Sequence, residues 1–167
     1  MKNVHIIENI FTNQERQQLL KSIDPLLVDG NWLSAIYGQR PGRFPGRQTH
    51  SSLHLHSDFE WMHNRFLQDI KKNLNLDLKV VRSWGNWTDG SQKVNWHTHP
   101  ADWCGVYYLK TFPFINSGTK FEKKFVRAPQ NSLLLFPCNL LHSAPNKSLF
   151  RYSRYSIALD YNTVKLD

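Results

Sequence analysis

The chain has 167 residues, enough for one domain with its own core, and 40% hydrophobic residues including six Trp exclude a disordered chain. No apolar run is long enough to span a bilayer, and the start reaches Glu8 and Asn9 too soon for a secretory leader. The balance of 21 basic against 13 acidic residues gives a formal charge of +8, which suits an anionic partner; no nucleic-acid-binding motif accompanies it, which places nucleic acid behind a protein or small-molecule substrate. Cys104 and Cys138 are the two cysteines, and without a leader they read as reduced core thiols of a cytoplasmic protein.

In chain order, Val4, Ile6 and Ile7 predict an entry strand. Thr12-Asn13-Gln14-Glu15 then has the Thr-x-x-Glu form of a capping box, and the helix it opens carries Leu19, Leu20 and Ile23 before Pro25 ends it. Arg40-Pro41-Gly42-Arg43-Phe44-Pro45-Gly46-Arg47 is two Pro-Gly-Arg turns in succession, a basic loop suited to an anionic group on a substrate, with Trp87 placed beside it at the entrance. Ser57-Asp58-Phe59-Glu60 repeats the capping-box pattern, and Phe59, Met62, Phe66 and Ile70 follow at helical spacing. This second helix is expected to pack on a sheet and to carry no chemistry.

From Leu78 the pattern changes to short strands. The candidates are Leu78–Trp84, Lys93–His97, Gly105–Lys110, Lys120–Phe125, Ser132–Phe136 and Tyr152–Asp160. The expectation is one mainly β domain over 1–167, with a helical support over about 1–77 flanking a barrel-like core over about 78–162.

Most of the eight histidines read as surface or hydrogen-bonded core residues; this holds for His5, His50, His54, His56 and His63. His97-Thr98-His99 is different, because residues i and i+2 of extended chain point to one face and can reach one ion. A third histidine, His142, ends the apolar stretch Leu133-Leu134-Leu135-Phe136-Pro137-Cys138-Asn139-Leu140-Leu141, where an imidazole must be hydrogen-bonded or bound. The last strand alternates Arg154, Ser156, Ala158 and Asp160 against Tyr155, Ile157, Leu159 and Tyr161. If the first set faces a barrel interior, its arginine fork and serine hydroxyl call for a carboxylate.

The order His-x-His, about forty residues, His, twelve residues, Arg-x-Ser resembles the double-stranded β-helix (jelly-roll, cupin-like) 2-oxoglutarate/iron(II) oxygenases, in their prolyl-hydroxylase-like branch with its small phage and marine-bacterial relatives. The resemblance runs from about Val81 to Asn162 through Trp84-Gly85-Asn86, His97-Thr98-His99-Pro100, Gly105-Val106-Tyr107-Tyr108-Leu109, Phe136-Pro137 to His142, and Arg154-Tyr155-Ser156-Ile157. It implies Fe(II) as metal, 2-oxoglutarate and oxygen as co-substrates, and hydroxylation of an unidentified substrate such as a peptidyl proline, another residue or a small molecule. It further implies His97 and His142 as iron ligands, and Arg154 and Ser156 on the distal carboxylate. Tyr108 and Asn86 would line the same pocket. The chain departs from the family pattern at His99, where the family has Asp or Glu. His99 is taken as the third ligand, with Asp102 as its competitor. A cupin-like three-histidine dioxygenase or isomerase, or a binding module without catalysis, are the rival readings.

Overall fold

A computed structural model describes residues 3–38, 46–90, 94–113, 115, 117–144 and 152–164. Strand β1 is His5–Glu8, followed by helix α1, Asn13–Ile23. Thr12 and Glu15 form the expected capping box, and Pro25 lies in a 3₁₀ turn that closes the helix. Next come β2 (Val28–Asp29), α2 (Gly30–Ile36) and β3 (Arg47–Gln48). The second long helix, α3, is Glu60–Leu74. Its capping box does not form: Ser57–Phe59 makes a 3₁₀ turn, and the Asp58 amide donates to Nδ1 of His56. Asn75 ends α3 in the left-handed conformation, at φ 54°, a usual helix-terminating geometry for Asn.

The remaining strands are β4 (Leu78–Thr88), β5 (Trp103–Lys110), β6 (Thr119–Phe121), β7 (Lys124–Val126), β8 (Ser132–Pro137), β9 (His142–Ser143) and β10 (Arg154–Thr163). They form a seven-stranded sheet, β1-β8-β5-β10-β4-β3-β2, and a three-stranded sheet, β7-β6-β9, with antiparallel pairing throughout. This is the mainly β, double-stranded β-helix class with flanking helices. The expected strand Lys120–Phe125 is a hairpin of two strands, β6 and β7. Of the expected strand Lys93–His97, Lys93 lies outside the described residues and the rest is not a strand. Residues 94–96 are irregular, and His97 makes only a paired backbone bridge to His142, with N···O distances of 3.0 and 3.1 Å.

Two cores result from strand alternation. Leu133 and Leu135 of β8 turn to the helix side of the large sheet, where they join Phe11, Leu19, Met62, Phe66, Tyr107, Ile157 and Tyr161. Leu134 and Phe136 turn to the other side and meet Cys104, Tyr108 and Phe121. Both faces of β8 are covered, which accounts for its unbroken apolar sequence. Gly105 is required by this packing: a Cβ there would lie 2.9 Å from the Tyr161 ring.

The cysteine expectation is overturned. Cys104 and Cys138 are joined in a disulfide, with Cα atoms 4.9 Å apart. β5 and β8 are neighbours, with Cys104 opposite Phe136, so the turn after β8 brings Cys138 alongside. The ground on which the cysteines suggested a cytoplasmic protein is thereby removed. Among the described residues, no helix is long and apolar enough to cross a membrane.

Candidate metal centre and adjoining pocket

A cavity of about 560 Å³ lies against the large sheet on the face opposite α1 and α3, with Leu33 of α2 among its lining residues. Three rows of side chains, each in register across β5, β10 and β4, make that face. The first row is Cys104, Asp160 and Arg82; the second is Val106, Ala158 and Trp84; the third is Tyr108, Ser156 and Asn86. β3 extends the third row with Gln48, whose Nε2 donates to Oδ1 of Asn86 at 2.6 Å.

His97, His99 and His142 converge at one wall of this cavity, each offering a ring nitrogen within 4.8 Å of the others. Their ring centres are 4.4 to 5.2 Å apart. The backbone explains the convergence. The His97–His142 bridge lays two distant segments side by side, and the His99 amide donates to the Cys138 carbonyl. Each Nδ1 faces an oxygen: His97 that of Asn95 at 2.7 Å, His142 that of Leu140 at 2.8 Å, and His99 that of Asp160 at 2.6 Å. An Nδ1 facing a carbonyl or carboxylate oxygen carries a proton, so in the neutral ring the lone pair is on Nε2. Burial pushes the pKa of His142 down to about 4, against the raising influence of the Leu140 carbonyl. Its imidazole is neutral near pH 7, the form that binds metal.

Arg154 is 7% exposed and lines the same cavity. Its guanidinium lies over the Tyr108 ring, and one terminal nitrogen donates to the Gly118 carbonyl at 3.5 Å. Its Nε has no hydrogen-bond partner among the described residues. Burial lowers its pKa from the ordinary value while Tyr108 opposes the shift, and an arginine remains charged. A buried cation with a vacant donor calls for an anion. Tyr108 is itself fully buried, and its hydroxyl is hydrogen-bonded to Thr119 at 2.7 Å.

Other expectations change. Trp87 packs into the helix-side core, so Trp84, one position of opposite parity, lines the cavity in its place. Arg47 donates to the Leu27 carbonyl at 2.9 Å and sits 3.9 Å from Asp24, contacts that tie β3 to the end of α1. Arg40 and Arg43 lie outside the described residues. Asp102 accepts the Thr163 amide at 2.8 Å and is not part of the histidine cluster. Sequence reasoning missed Thr119, Trp84 and Arg82 as cavity residues. Alternation along β4 groups Arg82, Trp84 and Asn86, but the strand's orientation was needed to know which group faced inward.

No family model matches the sequence, and no curated protein matches it. Solved structures do match. HygX from Streptomyces hygroscopicus, solved with nickel and 2-oxoglutarate bound, is 14% identical; the match covers 96% of this chain and 82% of HygX at a TM-score of 0.70. The prolyl hydroxylase of Trichoplax adhaerens, in complex with a peptide fragment of the hypoxia inducible factor oxygen degradation domain, is also 14% identical, with 97% and 84% covered and a TM-score of 0.68. EctD from S. alaskensis in its apoform is 18% identical, with 96% and 72% covered and a TM-score of 0.67. The chain has the double-stranded β-helix fold of the 2-oxoglutarate/iron(II) oxygenases, as its motif order implied.

Proposed function

We propose that the protein is a non-haem Fe(II) oxygenase that couples oxidative decarboxylation of 2-oxoglutarate to hydroxylation of a second substrate. One observation carries this reading: a single cavity joins three converging histidines to a buried arginine with an unpartnered Nε. The residues fit both groups. His97, His99 and His142 would hold Fe(II), while Arg154 and Ser156 would take the distal carboxylate of 2-oxoglutarate, flanked by Tyr108 and Asn86. Bound Fe(II) activates oxygen, so that 2-oxoglutarate leaves as succinate and carbon dioxide and a C–H bond of the substrate gains a hydroxyl. The chain's own part is positioning. Arg154 clamps the carboxylate in a fork, and Ser156 adds a hydroxyl donor. Neutral His142 keeps its lone pair for the ion. The apolar wall of Leu134, Phe136 and Phe121 behind Tyr108 keeps that side dry.

HygX, with nickel and 2-oxoglutarate bound, supports the choice of metal and co-substrate. HygX has also been solved with hygromycin B, and the Trichoplax enzyme with a peptide, so this fold serves both small-molecule and protein substrates. Either class, a peptidyl proline included, is compatible with the 560 Å³ cavity. Residues 1–167 are assigned to one catalytic domain, the helical part supporting the β core.

The test is anaerobic calorimetry of 2-oxoglutarate against Fe(II)-loaded protein, followed by succinate measurement in air. Saturable binding and slow succinate release without a second substrate are expected. Metal uptake with no 2-oxoglutarate binding would instead support the rival that His99 favours, a cupin-like three-histidine metalloprotein.

A further inference from the structure

The third histidine of the cluster differs from the other two in what holds it. His97 and His142 each anchor Nδ1 on the carbonyl of a residue two positions earlier, Asn95 and Leu140. These are neutral, local acceptors. His99 anchors Nδ1 on a carboxylate 61 residues away, Oδ1 of Asp160 at 2.6 Å. Asp160 is 0% exposed, and its second oxygen accepts from Nε of Arg82 at 2.9 Å. Arg82 reaches partly into solvent, so the carboxylate is held by a cation whose own charge water screens. Trp84 stacks on the His99 ring, with centres 5.5 Å apart and planes at 25°. The ring is therefore fixed both in orientation and in tautomer.

We infer that Asp160 is the positioning residue for His99, supplying through the imidazole the negative charge that related sites supply by a carboxylate ligand. The inference rests on the metal reading above and deepens it. Asp160 does not itself join the cluster of His97, His99 and His142; its only grouping with possible ligand atoms, among the described residues, is with His99 and Cys104. It acts through His99. A carboxylate behind a ligating histidine fixes the nitrogen that faces the ion and raises its basicity, an arrangement whose loss costs metal affinity about 10- to 100-fold. The position of Asp160 on β10 places it there: it pairs in register with Arg82 on one side and Cys104 on the other, on the cavity face.

The experiment uses Co(II) as probe on the full chain, with four proteins: wild type, Asp160→Asn, His99→Ala and the double variant. An Asn amide can donate to Nδ1, which would move the ring proton to Nε2, where a metal ligand needs a lone pair. Asp160→Asn is expected to weaken Co(II) binding about 10- to 100-fold and to change its visible spectrum. In the His99→Ala background the same substitution should cost nothing further, because the effect passes through the ring. Asp160→Glu should recover part of the affinity. Long-range ¹H–¹⁵N spectra of the metal-free protein give an independent readout. His99 should be the Nδ1–H tautomer in wild type and lose that signature in Asp160→Asn. Equal losses from Asp160→Asn in both backgrounds, or an unchanged tautomer and affinity, would overturn the inference while leaving the metal site intact. A wild-type protein that takes up no Co(II) overturns the metal reading and this inference with it.

Discussion

The guanidinium carbon of Arg154 lies 5.3 Å from the centre of the Tyr108 ring, and both side chains are buried against the cavity. The ring face holds the cation in place without neutralising it, so its charge is left for a ligand. Arg154→Ala should weaken 2-oxoglutarate binding by about tenfold or more, since a charge-assisted pair contributes about 1.5–3 kcal/mol. Metal affinity should stay the same. Calorimetry with each ligand in turn checks both statements; equal 2-oxoglutarate affinity in the variant would remove Arg154 from the anchor role.

The three proposed ligands should respond unequally. His97→Ala and His142→Ala are expected to abolish Fe(II) binding and turnover, because each removes one of two histidines locked together by the backbone bridge. His99→Asp should keep the metal, since a carboxylate there restores the family's ligand set. His99→Ala should weaken binding, and Asp102→Ala should leave it unchanged because Asp102 serves the Thr163 amide. An Fe(II) titration in which Asp102→Ala loses the metal and His99→Ala keeps it would reverse the assignment.

Arg47 now belongs to the architecture. Arg47→Ala should lower unfolding stability by about 1 kcal/mol through its lost contact to the Leu27 carbonyl. Uncoupled 2-oxoglutarate turnover per folded molecule should not change. Urea denaturation and succinate release, measured on the same sample, separate the two effects.

His63 provides a test by pH. Its Nδ1 donates to the Phe59 carbonyl and its Nε2 meets Ser83, both inside the protein. Burial pushes its pKa from 6.5 down to about 4. Between those values the unfolded chain binds the proton that the folded one refuses, so stability rises with pH through that window and is complete above it. Lowering the pH from 7.5 to 5 should cost about 2 kcal/mol through this group alone. His63→Gln should lose that part of the slope. Urea unfolding at the two pH values, wild type beside variant with chelator present, will show it.

Much of the site was legible in the sequence because its residues sit on strands, where the period of two can be read directly. Arg154, Ser156 and Asp160 were grouped on one face of β10 by that rule, and they do share it. The first helix was equally readable, since Thr12 and Glu15 are a local pair. What failed was whatever depends on a distant partner. The bond between His99 and Asp160 spans 61 residues. Asn131, at φ 66°, accepts from the Phe11 amide and the Tyr107 hydroxyl, and nothing local marks it. α2 has only seven residues, and of Trp32, Leu33 and Ile36 only Leu33 is buried, so Asp29, accepting from the Asn31 and Trp32 amides, is the main signal of its start. The Ser57 pattern lost to a closer competitor, the His56 ring.

β10 works as a ruler. Arg154 and Asp160 are six residues apart on one strand, roughly 20 Å at about 3.3 Å per residue, and the same side of that strand carries both. One end marks the proposed co-substrate anchor and the other the support of His99. A single inserted residue between them would change the length and also reverse the parity, turning one of the two into the packed core beneath α1 and α3. Inserting two would keep parity but lengthen the gauge by roughly 7 Å. Neither marker can be re-spaced by a small insertion without disturbing the other, so the interval from 154 to 160 should tolerate substitution at Ala158 far better than any change in its length.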